Sequence, residues 1–247
     1  MTAPILTLES VSVDRSGARV VRDFTATVGA GEVVAVLGSN GAGKSSLLRA
    51  VIGLEETSAG RMMLCGEDLA GKLPRERAAA GIGYCPEGRR LFPGLTVEEN
   101  LAVVFDGSAR ARKARIEEML DRFPALIAKR RDRAWSLSGG QQQMLAIARA
   151  IMNSPNLVLL DEPTLGLAPM IVEEVLESVR TIAANGAGVL LAEQNVGPAL
   201  RVADRVLVIA RGDIVYEERA ENLSAEQIAG IMLTGDRSAT TAASVTG

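Results

Sequence analysis

The chain has 247 residues, of which 47% are hydrophobic, so one large domain with a sizeable core is available and wholesale disorder is excluded. Aromatic residues make up only 3%, so aliphatic side chains must fill that core, as they do in parallel sheets covered on both faces. The net charge of −3 argues against a nucleic-acid partner, and the absence of histidine excludes Ser-His-Asp and Cys-His catalysis and every His-ligated metal site.

The sequence also indicates a cytoplasmic protein. Its first residues lack the basic start and apolar run of a signal peptide, and no apolar stretch approaches the ~20 residues needed to span a bilayer. Cys65 and Cys85 could pair, but reduced thiols are the favoured interpretation. Because histidine is absent, any chemistry must use carboxylates, lysine and backbone amides, with an oxygen-bound metal as a further option.

The first part of the chain is predicted to be rich in strands. Three short β-branched runs predict strands: Ile5–Val13, Arg19–Val28 and Glu32–Leu37. Gly17 and the Gly-Ala-Gly turn at 29–31 separate them. A helix is predicted from about Gly43 to Leu54, and a strand at Arg61–Leu64 precedes a polar loop.

A phosphate-binding pattern, G-x-x-x-x-G-K-[ST], directly follows the third predicted strand. The predicted nucleotide-binding residues here are Gly38, Ser39, Asn40, Gly41, Ala42, Gly43, Lys44, Ser45 and Ser46. The glycines let backbone N–H groups approach phosphate oxygens, and the next helix directs its positive end at the same anion. Lys44 adds a charge for the β- and γ-phosphates, and the Ser45 hydroxyl can ligate Mg²⁺. A chance lysine after a glycine turn is the alternative, but the flanking strand and helix favour a nucleoside triphosphate site.

The middle of the chain, from about Phe92 to Ile151, is predicted to be helical and more charged. Between Gly107 and Trp135 there are nine Lys and Arg residues against four Asp and Glu residues. A solvated helical face is the favoured interpretation of this excess, and a surface near anionic lipid head groups is the alternative.

One helix in this region begins with a distinctive turn. Ser138 can cap the helix and Gln141 can reach back to it, which predicts a capping box and a helix to about Met152. The predicted buried face consists of Met144, Ile147, Ala148 and Ile151. The glycines at 139 and 140 leave room for a phosphate at the helix start.

A second chemical motif ends the strand predicted at Asn156–Leu160. Asp161 and Glu162 follow directly, and in an open α/β sheet such strand ends are where ligands bind. Asp161 is therefore placed to hold Mg²⁺ and Glu162 to polarise an attacking water. An ordinary strand with a charged end is the alternative, which the nearby phosphate-binding pattern makes less favourable.

Helix and strand signals alternate through the rest of the chain. The predicted elements are a helix at Met170–Ala184, a strand at Gly188–Ala192 and a hairpin of Val206–Ala210 with Asp213–Glu217. The segment from Asp236 to the end is small and polar, and is predicted to be disordered.

These motifs together resemble those of ABC ATPases, because Leu-Ser-Gly-Gly-Gln at 137–141 precedes the acidic strand. The likeness extends from about Leu6 to Gly235 and is strongest to the ATPase subunits of bacterial importers for branched-chain amino acids and similar small polar substrates. The segments that carry this likeness are Pro86–Asn100, Gln141–Arg149, Asp161–Pro169 and Glu193–Asn195.

The resemblance implies an α/β P-loop NTPase of the ABC type, with a mixed or parallel core sheet, an N-terminal antiparallel β subdomain and an inserted helical subdomain. Residues 1–235 would form one ATPase domain, with the core at 1–86 and 153–235 and the helical lobe at about 87–152. ATP and Mg²⁺ would be held between two subunits placed head to tail. The residues expected to act on the partner's ATP are Leu137, Ser138, Gly139, Gly140 and Gln141.

The resemblance also implies partners. These are integral membrane permease subunits and a second ABC ATPase, with a heterodimer favoured and a homodimer as the alternative. A periplasmic or extracellular substrate-binding protein would act indirectly. The chain would sit on the inner face of the cell membrane and bind no nucleic acid. Alternatives to an importer subunit are a soluble ABC ATPase acting on DNA or ribosomes, an exporter subunit and an inactive regulatory subunit.

Four positions depart from the broad ABC pattern. They are Arg15 for the aromatic that stacks on adenine, Glu87 for the Q-loop glutamine, Ala168 for the D-loop aspartate and Gln194 for the switch histidine. The expected metal ligands are Ser45, Glu87 and Asp161, and the expected catalytic residues are Lys44, Glu162 and Gln194. Gln194 can donate to a γ-phosphate but does not titrate, so ATPase activity should lack an inflection near about pH 6.5.

Overall fold

A computed structural model describes residues 3–235, so the predicted disordered tail from Asp236 lies outside the described residues. The strands are β1 (Leu6–Arg15), β2 (Ala18–Val28), β3 (Val33–Leu37), β4 (Thr57–Leu64), β5 (Glu67–Asp68), β6 (Ile82–Cys85), β7 (Leu157–Asp161), β8 (Gly188–Glu193), β9 (Arg205–Ala210) and β10 (Asp213–Arg219). The α-helices are α1 (Lys44–Ile52), α2 (Pro74–Ala79), α3 (Val97–Ala102), α4 (Ala109–Arg122), α5 (Gly139–Ala150), α6 (Pro169–Ala184), α7 (Val196–Val202) and α8 (Ala225–Thr234). Short 3₁₀ turns occur at Pro124–Lys129, Ala134–Ser136 and Ala220–Asn222.

The strands form two sheets, which confirms the predicted fold class. The first sheet is antiparallel, with the order β2-β1-β4-β5. The second has the order β10-β9-β3-β8-β7-β6, in which the five strands from β9 to β6 run parallel and β10 is an antiparallel edge.

The central strands are buried on both faces because each face has its own cover. Every residue of β3, β7 and β8 is buried. Along β7, Leu157 and Leu159 pack in a cluster with α1 and the antiparallel sheet, whereas Val158 and Leu160 pack with α5 and α6. This period-two alternation explains a continuous aliphatic run, and each such side chain contributes roughly 1.5–3 kcal/mol on burial.

Helices α3, α4 and α5 lie between β6 and β7 in the chain and form the helical lobe. A buried amide fixes the loop that leads into this lobe. Asn100 accepts a hydrogen bond from the Phe92 N–H at 2.9 Å and donates to the Phe92, Leu95 and Thr96 carbonyls. The domain boundaries at about 87 and 152 stay a prediction.

The predicted polar loop after residue 64 was wrong in part. It contains β5, α2 and β6, and β4 itself begins at Thr57 rather than Arg61. β6 is four residues long and includes a glycine, so it carries little local signal and is stabilised by its parallel pairing with β7. Helices α7 and α8 were also missed, whereas the strands at 157–161 and 188–193 and the hairpin at 205–219 lie where they were expected.

Cys65 is exposed, Cys85 is buried, and both are free thiols, as the sequence favoured. Within residues 3–235, none of the helices combines the length and apolar character needed to cross a bilayer.

Candidate functional site

The predicted chemical motifs meet because three neighbouring parallel strands end at the same edge of the mixed sheet. β3 lies beside β8, and β8 lies beside β7. β3 leads into the phosphate-binding loop. β7 ends at Asp161 and is followed by Glu162, and β8 ends at Glu193 and is followed by Gln194. Carboxyl ends of parallel strands are where α/β proteins bind their ligands.

The phosphate-binding loop is held in a shape that only glycine permits at its end. Gly43 has φ of +113°, and a Cβ at this position would overlap the Val20 carbonyl oxygen. Lys44 then begins α1 and curls back, so that its Nζ donates to the Gly38 carbonyl at 2.8 Å and to the Ser39 carbonyl at 3.2 Å. The start of α1 has no side-chain cap, so its first N–H groups remain for an anion.

The acidic end of β7 contacts the start of α1 through two pairs of side chains. Lys44 Nζ lies 3.1 Å from Glu162 Oε1, and the Ser45 hydroxyl donates to Asp161 Oδ1 at 2.8 Å. Lys44, Asp161 and Glu162 are all buried, so each charge needs a partner to offset its desolvation. Burial raises the pKa of Asp161, the Ser45 hydrogen bond opposes that rise, and the nearby Glu87 carboxylate reinforces it.

Glu162 has a left-handed backbone conformation, with φ of +47°. Such a conformation costs on the order of 1–3 kcal/mol for a residue with a side chain and persists only where neighbours enforce it. Here the Glu162 N–H donates to the Ala192 carbonyl of β8 at 2.8 Å. The strained turn therefore directs the Glu162 carboxylate back over the phosphate-binding loop, where it meets Lys44.

A cleft of about 410 Å³ opens above these groups. Its lining residues come from five separate parts of the chain and are Arg15, Val20, Asn40, Gly41, Gly43, Lys44, Ser45, Ser46, Arg49, Glu87, Glu162 and Leu165. Arg15, at the end of β1, and Glu87 are both exposed and line this cleft. The structure thus brings two of the four unusual positions to the phosphate-binding loop.

The donors beside this cleft fit a hard divalent cation. Ser45 and Asp161 offer hydroxyl and carboxylate oxygens side by side, with the charge of Glu87 nearby. Among residues 3–235, no group of three or more His, Cys, Asp or Glu side chains is arranged to hold a metal ion by itself. Mg²⁺ suits such a sparse set, because it usually takes one or two protein ligands and completes its shell with water and substrate phosphates.

Gln194 lies at the same edge but farther from the phosphate-binding loop. It is exposed just beyond β8, two residues after Ala192, which accepts the Glu162 N–H. Gln194 is not among the residues that line the cleft. The structure therefore places Gln194 directly after β8, the strand whose Ala192 carbonyl accepts the Glu162 N–H, and outside the cleft lining.

Two residues of this edge were given no role from the sequence, although Glu193 lies in one of the segments that carry the ABC resemblance. The Tyr84 hydroxyl on β6 donates to Asp161 Oδ2 at 3.4 Å, and burial, with the charge of Asp161, raises the pKa of Tyr84 to about 12. Glu193 is buried and accepts from the Thr164 N–H at 3.0 Å and from the Thr164 hydroxyl at 2.7 Å. The available signal for Glu193 was an acidic residue ending a fully apolar strand.

The Leu-Ser-Gly-Gly-Gln segment forms the expected helix start on another surface. Ser138 Oγ accepts from the Gln141 N–H at 3.3 Å, and Gln141 Oε1 accepts from the Ser138 N–H at 3.1 Å, which confirms the capping box. Ser138 and Gly139 are exposed, and none of the five residues of this segment lines the cleft. Gly140 is buried, and a Cβ there would lie 2.7 Å from Ile171 Cγ2, so this glycine serves packing of α5 against α6.

The turn between β7 and α6 carries the position at which Ala168 replaces an expected aspartate. Ala168 is exposed and is the N-cap of α6, where it supplies no side-chain hydrogen bond. Pro169 begins the helix and lacks an N–H, which removes one of the donors that a cap would satisfy. Leu165 and Met170 on either side are 53% and 74% exposed, so this turn presents apolar surface outward.

Comparison with known proteins agrees with these features. A family model described as "ABC transporter" matches residues 21–165. The chain is 40% identical to the high-affinity branched-chain amino acid transport ATP-binding protein BraG of Pseudomonas aeruginosa, over 87% of this chain and 92% of that protein. It is 34% identical to the lipopolysaccharide export system ATP-binding protein LptB of Escherichia coli K12, over 94% of this chain and 98% of that one. Its fold is similar to the dimeric structure of MJ0796, a bacterial ABC transporter cassette, with a TM-score of 0.78, 25% identity and coverage of 87% and 98%.

Proposed function

Because this chain belongs to the ABC transporter family, as an ATPase subunit of a transporter, we propose that it powers import of branched-chain amino acids or related small polar substrates. One observation carries the enzymatic part of the proposal. The phosphate-binding loop and the acidic strand end meet, with Lys44 Nζ 3.1 Å from Glu162 Oε1 and the Ser45 hydroxyl 2.8 Å from Asp161 Oδ1.

In the proposed reaction, water attacks the γ-phosphorus of ATP, the bond from that phosphorus to the β–γ bridging oxygen breaks, and ADP and phosphate leave. Lys44 and the free N–H groups at the start of α1 hold the β- and γ-phosphates. Glu162 orients the attacking water and accepts its proton, and Gln194 donates a hydrogen bond to the γ-phosphate. ATP phosphates compete with Glu162 for Lys44, so nucleotide binding frees the Glu162 carboxylate for the water.

Mg²⁺ belongs to this proposal as the ion that neutralises phosphate charge. Ser45 and Asp161 would hold it, with Glu87 contributing an oxygen directly or through water. The Tyr84 hydroxyl donates to Asp161 Oδ2 and so fixes the orientation of that carboxylate. The exposed guanidinium plane of Arg15, at the edge of the same cleft, is proposed to stack on the adenine ring.

The Ser138 segment is proposed to act on nucleotide bound by a second ATPase chain. Ser138 and Gly139 are exposed, they do not line the chain's own cleft, and the start of α5 offers N–H groups to an anion. The apolar surface at Leu165 and Met170 adds area for such a pairing. A heterodimer with a related ATPase is favoured, and a homodimer is the alternative.

The proposal also includes a direction of transport, which is import. Import is supported by the likeness to BraG and by Glu87 and Gln194, which lie within the segments that carry the resemblance to branched-chain amino acid importers. Export is the second candidate, because the likeness to LptB covers nearly the whole of both chains. In either case the chain would dock on a permease at the inner face of the membrane, and a substrate-binding protein would be a partner only of the importer.

Two experiments test the proposal. The first measures phosphate release from Mg-ATP by the purified chain and by Glu162→Gln, with Glu174→Gln on the outer face of α6 as the matched control. Equal rates for wild type and Glu162→Gln would contradict the assigned mechanism. The second reconstitutes the chain with the permease that co-purifies with it and measures ATP-dependent movement of radiolabelled leucine. Leucine accumulation on the ATPase side of the membrane supports import, and co-purification with a lipopolysaccharide-binding permease supports export instead.

A further inference from the structure

Glu193 is a buried carboxylate at the catalytic edge that takes no part in the proposed steps of ATP hydrolysis. Its side chain is 2% exposed and lies between the loop that carries Glu162 and the loop that carries Gln194. Its Oε1 atom accepts from the Thr164 N–H at 3.0 Å and from the Thr164 hydroxyl at 2.7 Å. Because Glu193 directly precedes Gln194 in the chain, these two bonds connect the Glu162 loop to the start of the Gln194 loop.

Hydrogen bonds to β8 hold the chain on both sides of Glu162, and Glu193 accepts those on the C-terminal side. On one side, the Glu162 N–H donates to the Ala192 carbonyl at 2.8 Å. On the other side, two residues later, Thr164 is bonded to Glu193. Both bonds run from the exit of β7 to the end of β8, and Glu162 between them holds a left-handed backbone conformation that needs support from both directions.

We propose that Glu193 is a positioning residue that fixes the Glu162 turn and the Gln194 loop to each other, so that the carboxylate acting on water and the amide acting on the γ-phosphate keep one relative geometry. This inference rests on the proposed hydrolysis by Glu162. It assigns to Glu193 no contact with ATP, because its carboxylate is buried, accepts from Thr164 and does not line the cleft.

Burying a carboxylate at position 193 costs free energy, and a positioning role explains why one is present there. An aliphatic residue would continue the apolar strand, whereas a buried carboxylate must be fully hydrogen-bonded. Thr164 is itself 6% exposed, so its N–H and hydroxyl would lose their acceptor if Glu193 were replaced by an aliphatic residue. Burial raises the pKa of Glu193, which agrees with a group held in a dry, hydrogen-bonded setting.

The test compares wild type with Glu193→Ala, Glu193→Gln and Thr164→Val by kcat, KM for ATP, ATP binding and melting temperature. Glu193→Ala should lower kcat at least about 10-fold, because the geometry at the water relaxes, while KM and ATP binding stay within about twofold. Glu193→Gln keeps a carbonyl acceptor for Thr164 and should restore most of the lost rate. Thr164→Val removes only the hydroxyl bond, and its loss in kcat should not add to that of Glu193→Ala.

The outcomes separate this inference from the proposed function. If wild type releases no phosphate from ATP either alone or co-purified with its permease and partner ATPase, the proposed hydrolysis itself fails. If wild type is active and Glu193→Ala keeps its kcat, only the inference on Glu193 fails. If Glu193→Ala and Glu193→Gln lose kcat, ATP binding and melting temperature together, Glu193 supports the fold alone and the inference is also overturned. Should Glu193→Ala not fold, a kcat of Thr164→Val equal to that of wild type would overturn it.

Discussion

The catalytic edge of the mixed sheet and the start of α5 are both places where a helix begins next to a glycine, yet they are built in opposite ways. At the edge, Lys44, Asp161 and Glu162 are buried and hold one another across strand ends. At α5, Ser138 is exposed and its hydroxyl accepts from Gln141 within its own capping box. The first region has its reacting groups within one chain, whereas the second does not line the cleft of its own chain.

Lys44→Ala is expected to have the largest effect on the catalytic edge. It removes the charge proposed for the β- and γ-phosphates and leaves Glu162 as a buried carboxylate without its partner, which costs about 3 kcal/mol or more. ATP binding and hydrolysis should both be lost, as measured by calorimetric titration and phosphate release. Adding Glu162→Gln to this variant should recover the melting temperature and no activity. Retained ATP binding in Lys44→Ala would place the phosphates elsewhere.

Glu162→Gln separates chemistry from binding within the same region. The amide keeps the shape but accepts no proton, so turnover should fall about 10²-fold or more. ATP binding should persist, and size-exclusion chromatography with ATP should detect a more stable dimer. Glu174→Gln, whose side chain is exposed on α6, serves as the control and should match wild type. Turnover near the wild-type rate in Glu162→Gln would remove this residue from its role.

Substitutions at Gly139 and Gly140, at the start of α5, should differ in their effect on the free energy of unfolding. Gly140→Ala forces a Cβ to within 2.7 Å of Ile171 Cγ2 and should destabilise the fold by about 1–3 kcal/mol, as measured by denaturant unfolding. Gly139→Ala meets only the flexible end of Arg89, so its free energy of unfolding should stay near that of wild type. Trimming Ile171 to Ala, which removes Cγ2, should recover part of the loss. Equal stability of Gly140→Ala and Gly139→Ala would contradict the packing role.

Glu98→Gln in the helical lobe should give the smallest effect. Hydrogen bonds from the Arg130 guanidinium, at 2.9 and 2.7 Å, lower the pKa of Glu98. A lowered pKa means that this stabilisation is present above the pKa of the unfolded chain and is lost as pH falls through the folded value. The pair is partly exposed and screened, so the loss at pH 7 should be below about 1 kcal/mol and should vanish once the pH is below the lowered pKa of Glu98. If the free energy of unfolding lost in Glu98→Gln grew on acidification, the direction of the pKa shift assigned to Glu98 would be contradicted.

The parts of the site that could be predicted are those whose signal is local. The glycine loop, Lys44 and Ser45 follow one another in the chain, and a strand before them and a helix after them suffice to orient the phosphates. Asp161 and Glu162 needed only the knowledge that ligands gather at strand ends. The capping box at Ser138 was predictable for the same reason, because both its partners lie within one helical turn.

The parts that escaped prediction depend on contacts between distant segments. β6 is recognisable only beside β7, which lies about 75 residues later. Glu193 acquires its partner from the neighbouring strand end, and the sequence shows only an acidic residue after apolar ones. The requirement for glycine at 140 comes from Ile171 on α6, so the sequence suggested an open phosphate site where the structure shows packing.

The most direct test of the account mixes two inactive variants of the chain. Lys44→Ala damages the catalytic edge and leaves the α5 start intact, whereas Ser138→Arg damages the α5 start and leaves the edge intact. If Ser138 acts across a pair of chains, an equal mixture should regain ATPase activity, up to about one quarter of the wild-type rate, since half of randomly formed pairs carry one intact site. A mixture no more active than the sum of the two separate variants would contradict a site shared between two copies of this chain.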